Sequence, residues 1–427
     1  MKYALIGGTV LDGTEHMQPR ENTCVLIEDG IITGVIPLEE ANLTGYETVN
    51  LCGKYVMPGL INMHVHLAGN GKPQKKQRDN AKLVKKIMST GFTRALAYKL
   101  VCSFAKTALL SGVTTIRTVG GLADFDTKLR DEIALGKKTG PRILAANQGI
   151  SVPGGHMAGS VAVAVRSPGE ARTATDKLAE QKVDLIKLMI TGGVLDAKQK
   201  GVPGEVKMSA DIVKAACEEA HSKGYKVAAH VESPEGVRLA LLGGVDSIEH
   251  GATPDDEIIN LFHKNNAFLC TTISPALPYA FFDRSVSHAS EVEQYNGQVV
   301  FDGIVECAKA AIAKDIPVVL GNDVGCPYVT QYDFWRELCY FTKYVGVDNA
   351  FALHTATLKS AVAAGIGDVT GSIETGKCAD IIVTTENPLD DIRALRHVDT
   401  VIARGKIYRS PKVKINKKVE RELDKFL

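Results

Sequence analysis

Three features are scarce or missing in this sequence. The nine cysteines stand singly, without CxxC spacing, which is typical of reduced thiols and argues against a zinc finger or a disulfide framework. No apolar run reaches the roughly 18 residues of a membrane-spanning helix. Lys and Arg number 50 against 49 Asp and Glu, so no net field attracts nucleic acid or an anionic membrane. We therefore expect neither a nucleic-acid nor a membrane partner.

The amino terminus shows no targeting signal. Its first apolar stretch, at residues 3–6, is too short for the core of a signal peptide and continues into strand-like sequence. The default expectation is a cytoplasmic protein, with homo-oligomer formation left open.

The two ends of the chain have the texture of β-structure. Short β-branched runs separated by Gly, Asp and Asn turns occupy residues 3–57, and β-signals return after residue 371, at 381–384 and 400–407. We predict that residues 1–57 and 371–427 form one small discontinuous β-sandwich domain.

The middle of the chain alternates short apolar strands with helical stretches. This pattern predicts α/β structure with a parallel sheet. The predicted strands are 59–66, 114–119, 142–147, 183–190, 226–230, 247–250, 268–272 and 317–320. Eight such units favour a (β/α)8 TIM-type barrel over residues 58–370. Two long segments, 72–86 and 274–315, are expected to overhang its mouth.

Metal-ligand residue types recur where these strands end. His64 and His66 are two apart on one strand and therefore share a face, so both imidazoles can reach one ion. His230, His250 and Asp323 each stand at the carboxyl end of another predicted strand. Because the carboxyl ends of barrel strands meet at one rim, the five residues predict a metal site there.

Lys187 lies within an otherwise apolar strand. A lone ammonium is costly to bury and its pKa falls. One interpretation is a lysine paired with an inward carboxylate. The other is a neutral amine that has reacted with CO2 to give a carbamate, whose two oxygens can bridge two cations.

This ordered set of residues resembles the amidohydrolase superfamily. The motifs are PGLINMHVH at 58–66, GVTTIR at 112–117, TGGV at 191–194 and GSIETGKCAD at 371–380, together with the residues above. Within the superfamily the chain is similar to imidazolonepropionase-like proteins and to metal-dependent Xaa-Pro or Xaa-Lys/Arg dipeptidases. Two positions depart from the usual pattern, Asn62 in place of Asp and Asn322 in place of Thr, which we expect to alter hydrogen bonding around the metals.

The resemblance implies a role for each site residue. His64, His66 and Asp323 would hold one divalent ion, His230 and His250 a second, and a carboxylated Lys187 would bridge them. Zn2+ is the first expectation for such an imidazole-rich site. A hydroxide held between the ions would attack the substrate carbonyl. Asp323, with His250 as the second predicted catalytic residue, would carry the proton to the departing amine.

Substrate contacts are less strongly specified. His156, in a glycine-rich loop, is either a substrate or oxyanion contact or a residue that fixes the loop. Arg117 is either a bidentate partner for a substrate carboxylate or half of an internal ion pair. Tyr328 and Tyr279 are either hydrogen-bond donors over the mouth or packing residues.

The favoured function is hydrolysis of an amide bond in a small substrate, with a dipeptide as leading candidate. The alternative is hydrolysis of a cyclic amide or amidine C–N bond, against which Lys187 counts modestly. A non-catalytic scaffold is the third reading, and the retained ligand set opposes it. Lactone or phosphotriester hydrolysis remains open as a side reaction of the same site.

Overall fold

The computed structural model describes residues 1–74 and 79–427. The lysine-rich segment 72–86 is therefore covered only in part, because residues 75–78 lie outside the described residues. Its later part forms a helix, Asn80–Ile87, whose first turn is capped by the Asp79 side chain accepting from the Lys82 backbone N–H at 2.9 Å.

Strands and helices alternate through the middle of the chain. The strands β1 to β19 are Lys2–Ile6, Thr9–Val10, Thr23–Glu28, Ile31–Pro37, Glu47–Asn50, Tyr55–Pro58, Leu60–Val65, Val113–Thr118, Arg142–Ala145, Gly149–Ser151, Ala162–Ala164, Leu185–Met189, Lys226–Val231, Ser247–His250, Phe268–Thr271, Val318–Leu320, Ile381–Thr384, Val398–Ala403 and Lys406–Arg409. The helices α1 to α14 are Asn80–Ile87, Gly91–Leu110, Phe125–Ala134, Pro168–Glu180, Ala210–Ser222, Pro234–Leu242, Asp256–Asn265, Ile273–Phe281, Arg284–Ser287, Glu291–Ala313, Phe334–Tyr340, Asn349–His354, Ser360–Ala363 and Lys417–Leu423.

Each of the eight strands predicted for the middle of the chain is present. Their ends differ from the predicted ones by at most two residues, and the strand at 247–250 agrees residue for residue with β14. The long segment 274–315 is built of helices α8, α9 and α10.

The strands of the middle region pair in parallel. Seven form a sheet in the order β11-β10-β12-β13-β14-β15-β16, and β7-β8-β9 form a second sheet. Two backbone links join these sheets. The Asp184 N–H donates to the Ala145 carbonyl at 2.7 Å, beside β12 and β9, and Val65 forms a parallel bridge with Val324 just after β16. Buried parallel strands with helical connections are what the sequence pattern predicts.

The chain divides into two compact units by its internal contacts. The first comprises residues 1–62, 106–115 and 332–427, and the second comprises residues 63–105 and 116–331. Within the first unit, one sheet has the order β4-β3-β1-β5 and the other the order β19-β18-β17-β6-β2. Both sheets contribute to one apolar core that includes Leu5, Val25, Val56, Ile381 and Ile402.

The first unit extends beyond the predicted small domain, because it includes residues 332–370. Buried Arg336 on α11 explains part of this association. Its guanidinium donates to Glu420 at 3.0 Å and to Asp424 at 2.6 Å, both near the carboxyl terminus. These bonds hold α11 to the terminal helix α14.

The β-signals at 400–407 correspond to parts of two strands. The structure has two antiparallel strands there, β18 and β19, joined at Arg404 and Gly405. Both residues have positive φ, 49° and 71°, as the favoured two-residue hairpin turns require.

No helix among residues 1–74 and 79–427 is both long enough and apolar enough to cross a bilayer.

Candidate metal centre

The six predicted ligands all belong to the second unit. His64 lies in β7, Lys187 in β12, His230 in β13 and His250 at the end of β14, whereas His66 follows β7 directly and Asp323 lies three residues after β16. All are buried except His66, whose side chain is 12% exposed. Parallel strands bring these residues to one end of the sheet, as the sequence predicts.

The side chains converge on Asp323. Its Oδ1 lies 3.2 Å from His66 Nε2 and 3.5 Å from His64 Nε2. The His64 and His250 ring centroids are 4.9 Å apart, and those of His230 and His250 are 4.6 Å apart. Ligand atoms of His64, His250 and Asp323 lie within 4.8 Å of one another, a spacing that fits a shared cation.

Two of these residues have unusual backbone conformations. His250 and Asp323 have φ of 69° and 52°, in the left-handed region that non-glycine residues adopt infrequently. Such strain is characteristic of functional sites, where the surrounding structure holds a side chain in a required direction.

Lys187 is fully buried, and its Nζ has no hydrogen-bond partner in the part of the chain that the structure describes. Burial lowers the pKa of its ammonium to about 8. At pH 7 roughly a tenth of the side chain is therefore a neutral amine. A buried, unbonded amine beside four imidazoles and a carboxylate fits a metal centre better than it fits a structural ion pair.

Glu249 is a site residue that the sequence analysis missed. Its Oε2 lies 2.8 Å from His64 Nδ1, and its Oε1 accepts from Arg117 Nη2 at 2.7 Å and from Ser247 Oγ at 2.8 Å. Burial alone would raise the pKa of Glu249, but the Arg117 guanidinium and His64 hold it well below the usual value. An ionised carboxylate makes His64 Nδ1 a donor, which leaves Nε2 for a metal.

Arg117 has the internal partner that was one of its two predicted roles. Besides Glu249, its Nε donates to the Met63 carbonyl at 2.7 Å, and its Nη1 donates to Ser247 at 3.1 Å. The residue is 5% exposed. The guanidinium donates its hydrogen bonds to protein groups. It therefore does not match its other predicted role, a contact with a substrate carboxylate.

His66 and His250 are oriented in the same way, whereas His230 Nε2 lies 3.4 Å from the Gly192 carbonyl. His66 Nδ1 lies 2.8 Å from the Gly120 carbonyl, and His250 Nδ1 lies 2.6 Å from Thr272 Oγ1. A Cβ at Gly120 would lie 2.9 Å from the His66 ring, so this approach requires glycine. Anchoring Nδ1 directs Nε2 into the site, an arrangement typical of metal-binding histidines.

Comparison with known proteins decides the family. Residues 55–408 match the Amidohydrolase family. The chain belongs to this family. Its fold is of TIM-barrel type and its members typically bind divalent metals, so the predicted resemblance is confirmed.

Solved structures of the family superpose over nearly the whole chain. A Bifidobacterium longum protein provisionally named a prolidase is 37% identical, with a TM-score of 0.87, over 99% of this chain and 98% of that one. A Xaa-Pro dipeptidase with methionine bound in its active site is 29% identical, with a TM-score of 0.83, over 96% and 100%. Among curated proteins, ochratoxinase of Aspergillus niger is 24% identical, over 92% of this chain and 84% of its own.

In this amidohydrolase, His156 lies against the metal centre. Its ring stacks on that of His230 with centroids 4.1 Å apart, and its Nδ1 lies 2.6 Å from Asp196 Oδ2. Burial alone would raise the pKa of Asp196, but the bond with His156 contributes to a lowered value. Asp196 is a second residue that the sequence analysis missed.

Tyr328 is buried, and its hydroxyl donates to the Val286 carbonyl at 2.7 Å. Its ring packs edge-to-face on Phe282, with centroids 4.9 Å apart. Tyr328 therefore matches the packing role, which was one of the two predicted for it. Its hydrogen bond connects the loop after β16 to α9. Tyr279, the other tyrosine considered, lies in α8.

A cavity of about 420 Å3 lies beside Glu232, and its lining includes none of the six predicted ligands. Its walls include Glu232 and Gly251, which follow His230 and His250 closely, and the loop 201–206. The remaining wall is largely apolar, with Val299, Val300 and Gly303 of α10.

Proposed function

We propose that this amidohydrolase is a metal-dependent hydrolase that cleaves the amide bond of a small substrate, with a dipeptide as the leading candidate. The carrying observation is the convergence of four imidazoles, Asp323 and an unbonded buried lysine at one end of the parallel strands. Divalent ions, with Zn2+ as the first candidate, would polarise the substrate carbonyl and activate water near neutral pH.

The ligand assignment is the one that the family resemblance implies. His64, His66 and Asp323 would hold one ion, because Asp323 Oδ1 approaches both imidazoles. His230 and His250 would hold the other, since their rings are neighbours. The Lys187 amine in its neutral form would attack CO2, forming an N–C bond and releasing a proton, and the resulting carbamate would offer two oxygens as metal ligands.

Two residues have roles in moving or stabilising charge. Asp323 would accept the proton of the attacking water at its carboxylate and return it to the leaving nitrogen. His156, whose Nδ1 is held by Asp196, would direct its Nε2 toward the substrate oxygen that becomes negative. His250, whose Nδ1 is fixed by Thr272, would be a ligand of the neighbouring ion.

The cavity supports a small substrate. Its volume of about 420 Å3 lies in the range of small-molecule pockets, and Glu232 and Gly251, which follow His230 and His250, are among its lining residues. The relatives agree in chemistry, because one solved structure is a Xaa-Pro dipeptidase.

We also propose that β7–β9 and β12–β16 close into one eight-stranded barrel, which the Asp184–Ala145 and Val65–Val324 links support, and that the two sheets of the first unit form a sandwich.

The test is metal content measured together with dipeptide cleavage. Protein purified without chelator is analysed for metals, and amino-acid release is followed from dipeptides that include Xaa-Pro, Xaa-Lys and Xaa-Arg. We expect nearly two ions per chain and cleavage that stops on chelation. Asp323→Asn should abolish turnover in the same assay. Two ions with no dipeptide cleaved would redirect the search to cyclic amides, and no metal after reconstitution would refute the proposal.

A further inference from the structure

Glu232 has a place in the site that none of the roles above explains. It follows β13 directly, two residues after His230. Ligand atoms of His230, Glu232 and His250 all lie within 4.8 Å of one another. Within residues 1–74 and 79–427, its Oε2 is buried and has no hydrogen-bond partner.

The backbone around Glu232 is fixed by neighbouring loops. Its N–H donates to Thr191 Oγ1 at 3.1 Å, and the next residue, Ser233, donates through Oγ to the Gly204 carbonyl at 2.6 Å. A Cβ at Gly204 would lie 2.4 Å from the Glu232 backbone, so glycine is needed for this close packing. The carboxylate is therefore held beside the two imidazoles by the fold.

The protein offsets little of a negative charge on Glu232, because the one stabilising contact that acts on it is a hydrogen bond from the Val194 backbone. The charged neighbours that act on it are Asp323 and Asp196, both carboxylates. A buried carboxylate without a partner costs several kcal/mol, and proteins avoid that cost by pairing the group or binding a metal through it. A divalent cation would supply the opposite charge, and ligand atoms of His230 and His250 lie close enough to share it with Glu232.

We propose that Glu232 is a carboxylate ligand, through Oε2, of the ion held by His230 and His250. This inference rests on the metal dependence of the proposed function. The second ion would then have a carboxylate of its own, as the first ion has Asp323. Without Glu232, its protein ligands would be two neutral imidazoles and a shared carbamate, which offset less of its charge.

Glu232 also lines the 420 Å3 cavity, so a substrate ammonium is the competing partner for its charge. The short spacing to His230 and His250 favours the metal, because an ammonium would lie on the cavity side. The experiment separates the two partners, since metal binding is measured with no substrate present.

The test compares Glu232→Gln with Glu235→Gln in the zinc-loaded protein. Gln keeps the shape of the side chain but removes its charge. Glu235 lines the same cavity, is exposed and is absent from the ligand cluster, so it is a matched control. Zinc content is followed against increasing chelator. We expect Glu232→Gln to bind one of its two ions at least tenfold more weakly, whereas wild type and Glu235→Gln behave alike.

A crystal structure of the zinc-loaded wild type is the second measurement. Glu232 Oε2 should lie 2.0–2.2 Å from the ion between His230 and His250. An oxygen more than about 3 Å from both ions would overturn the proposal, as would equal zinc affinity in Glu232→Gln and wild type. If the Gln variant fails to fold, this structure decides alone.

The outcomes also separate this inference from the proposed function. A protein that binds two ions, loses one on Glu232→Gln and cleaves no dipeptide would support the ligand role and contradict the dipeptidase proposal. Dipeptide cleavage together with unchanged zinc affinity in Glu232→Gln would support the dipeptidase proposal and contradict the ligand role. A wild type that binds no zinc would overturn both.

Discussion

Replacing Glu249 by Gln removes the carboxylate that joins Arg117 to His64. In the folded protein this carboxylate is fully buried and the Arg117 side chain is 6% exposed, so water can screen the pair very little. The variant retains the size of the side chain. Its effect therefore measures the loss of the negative charge, because Arg117 stays buried without a negative partner.

The loss of stability follows from that uncompensated charge. Removing one partner of a buried ion pair costs about 3–5 kcal/mol. We expect the lower end, about 3 kcal/mol, because Arg117 keeps its bonds to the Met63 carbonyl and Ser247. His64 also loses its anionic acceptor, and losses of this kind weaken metal binding about 10–100-fold.

A double variant separates the two effects. Arg117→Met in the Glu249→Gln background removes the stranded cation, so about 2 kcal/mol of stability should return. Metal affinity should stay low, because His64 still lacks its acceptor. Urea unfolding of chelated protein gives the free energies, and zinc competition with a chelator gives the affinities.

The stability and the zinc affinity of these variants can each contradict the role assigned to Glu249. If Glu249→Gln loses less than about 1 kcal/mol, or if the double variant is no more stable than the single one, the ion pair does not have the assigned role. If the double variant regains wild-type zinc affinity, Glu249 does not act through His64.

Three further predictions concern the same unit. Lys187→Ala should lower the zinc content from near two ions to near one, and a short carboxylic acid such as formate should restore part of it; full retention of both ions would contradict a bridging carbamate. Burial raises the pKa of Asp126 to about 6 from 3.8, so its contribution to stability is full below pH 4 and is lost as the pH rises through 6. Asp126→Asn should therefore be more stable than wild type by about 3 kcal/mol in urea unfolding at pH 8 and nearly equal at pH 4, whereas a difference independent of pH would refute this cause. Asp196→Asn should lower kcat about tenfold with unchanged zinc content, because His156 loses a charged partner; a loss of zinc instead would place Asp196 in metal binding.

The sequence was sufficient to place the strands and the ends at which ligands gather. His64 and His66 alternate on one strand, and the other ligands follow apolar runs whose length and composition mark buried strands. Because parallel strands share one carboxyl end, this one-dimensional pattern already placed distant residues together. The hairpin at Arg404 and Gly405 was missed, since two adjoining β-branched runs look like one strand until the turn conformation is known.

Only the tertiary structure showed which side chains hydrogen-bond to the predicted ligands. His64 and Glu249 are 185 residues apart, and their contact depends on two strands facing each other across the second unit. Arg117 had two open roles because residue type and strand position fit both, and only its distance to Glu249 selects the internal pair. The sequence by itself indicated the family and six predicted metal ligands, because both follow from residue types at regular strand ends. The partners of Glu249, Glu232 and His156 depended on side-chain directions and distances, which local sequence does not specify.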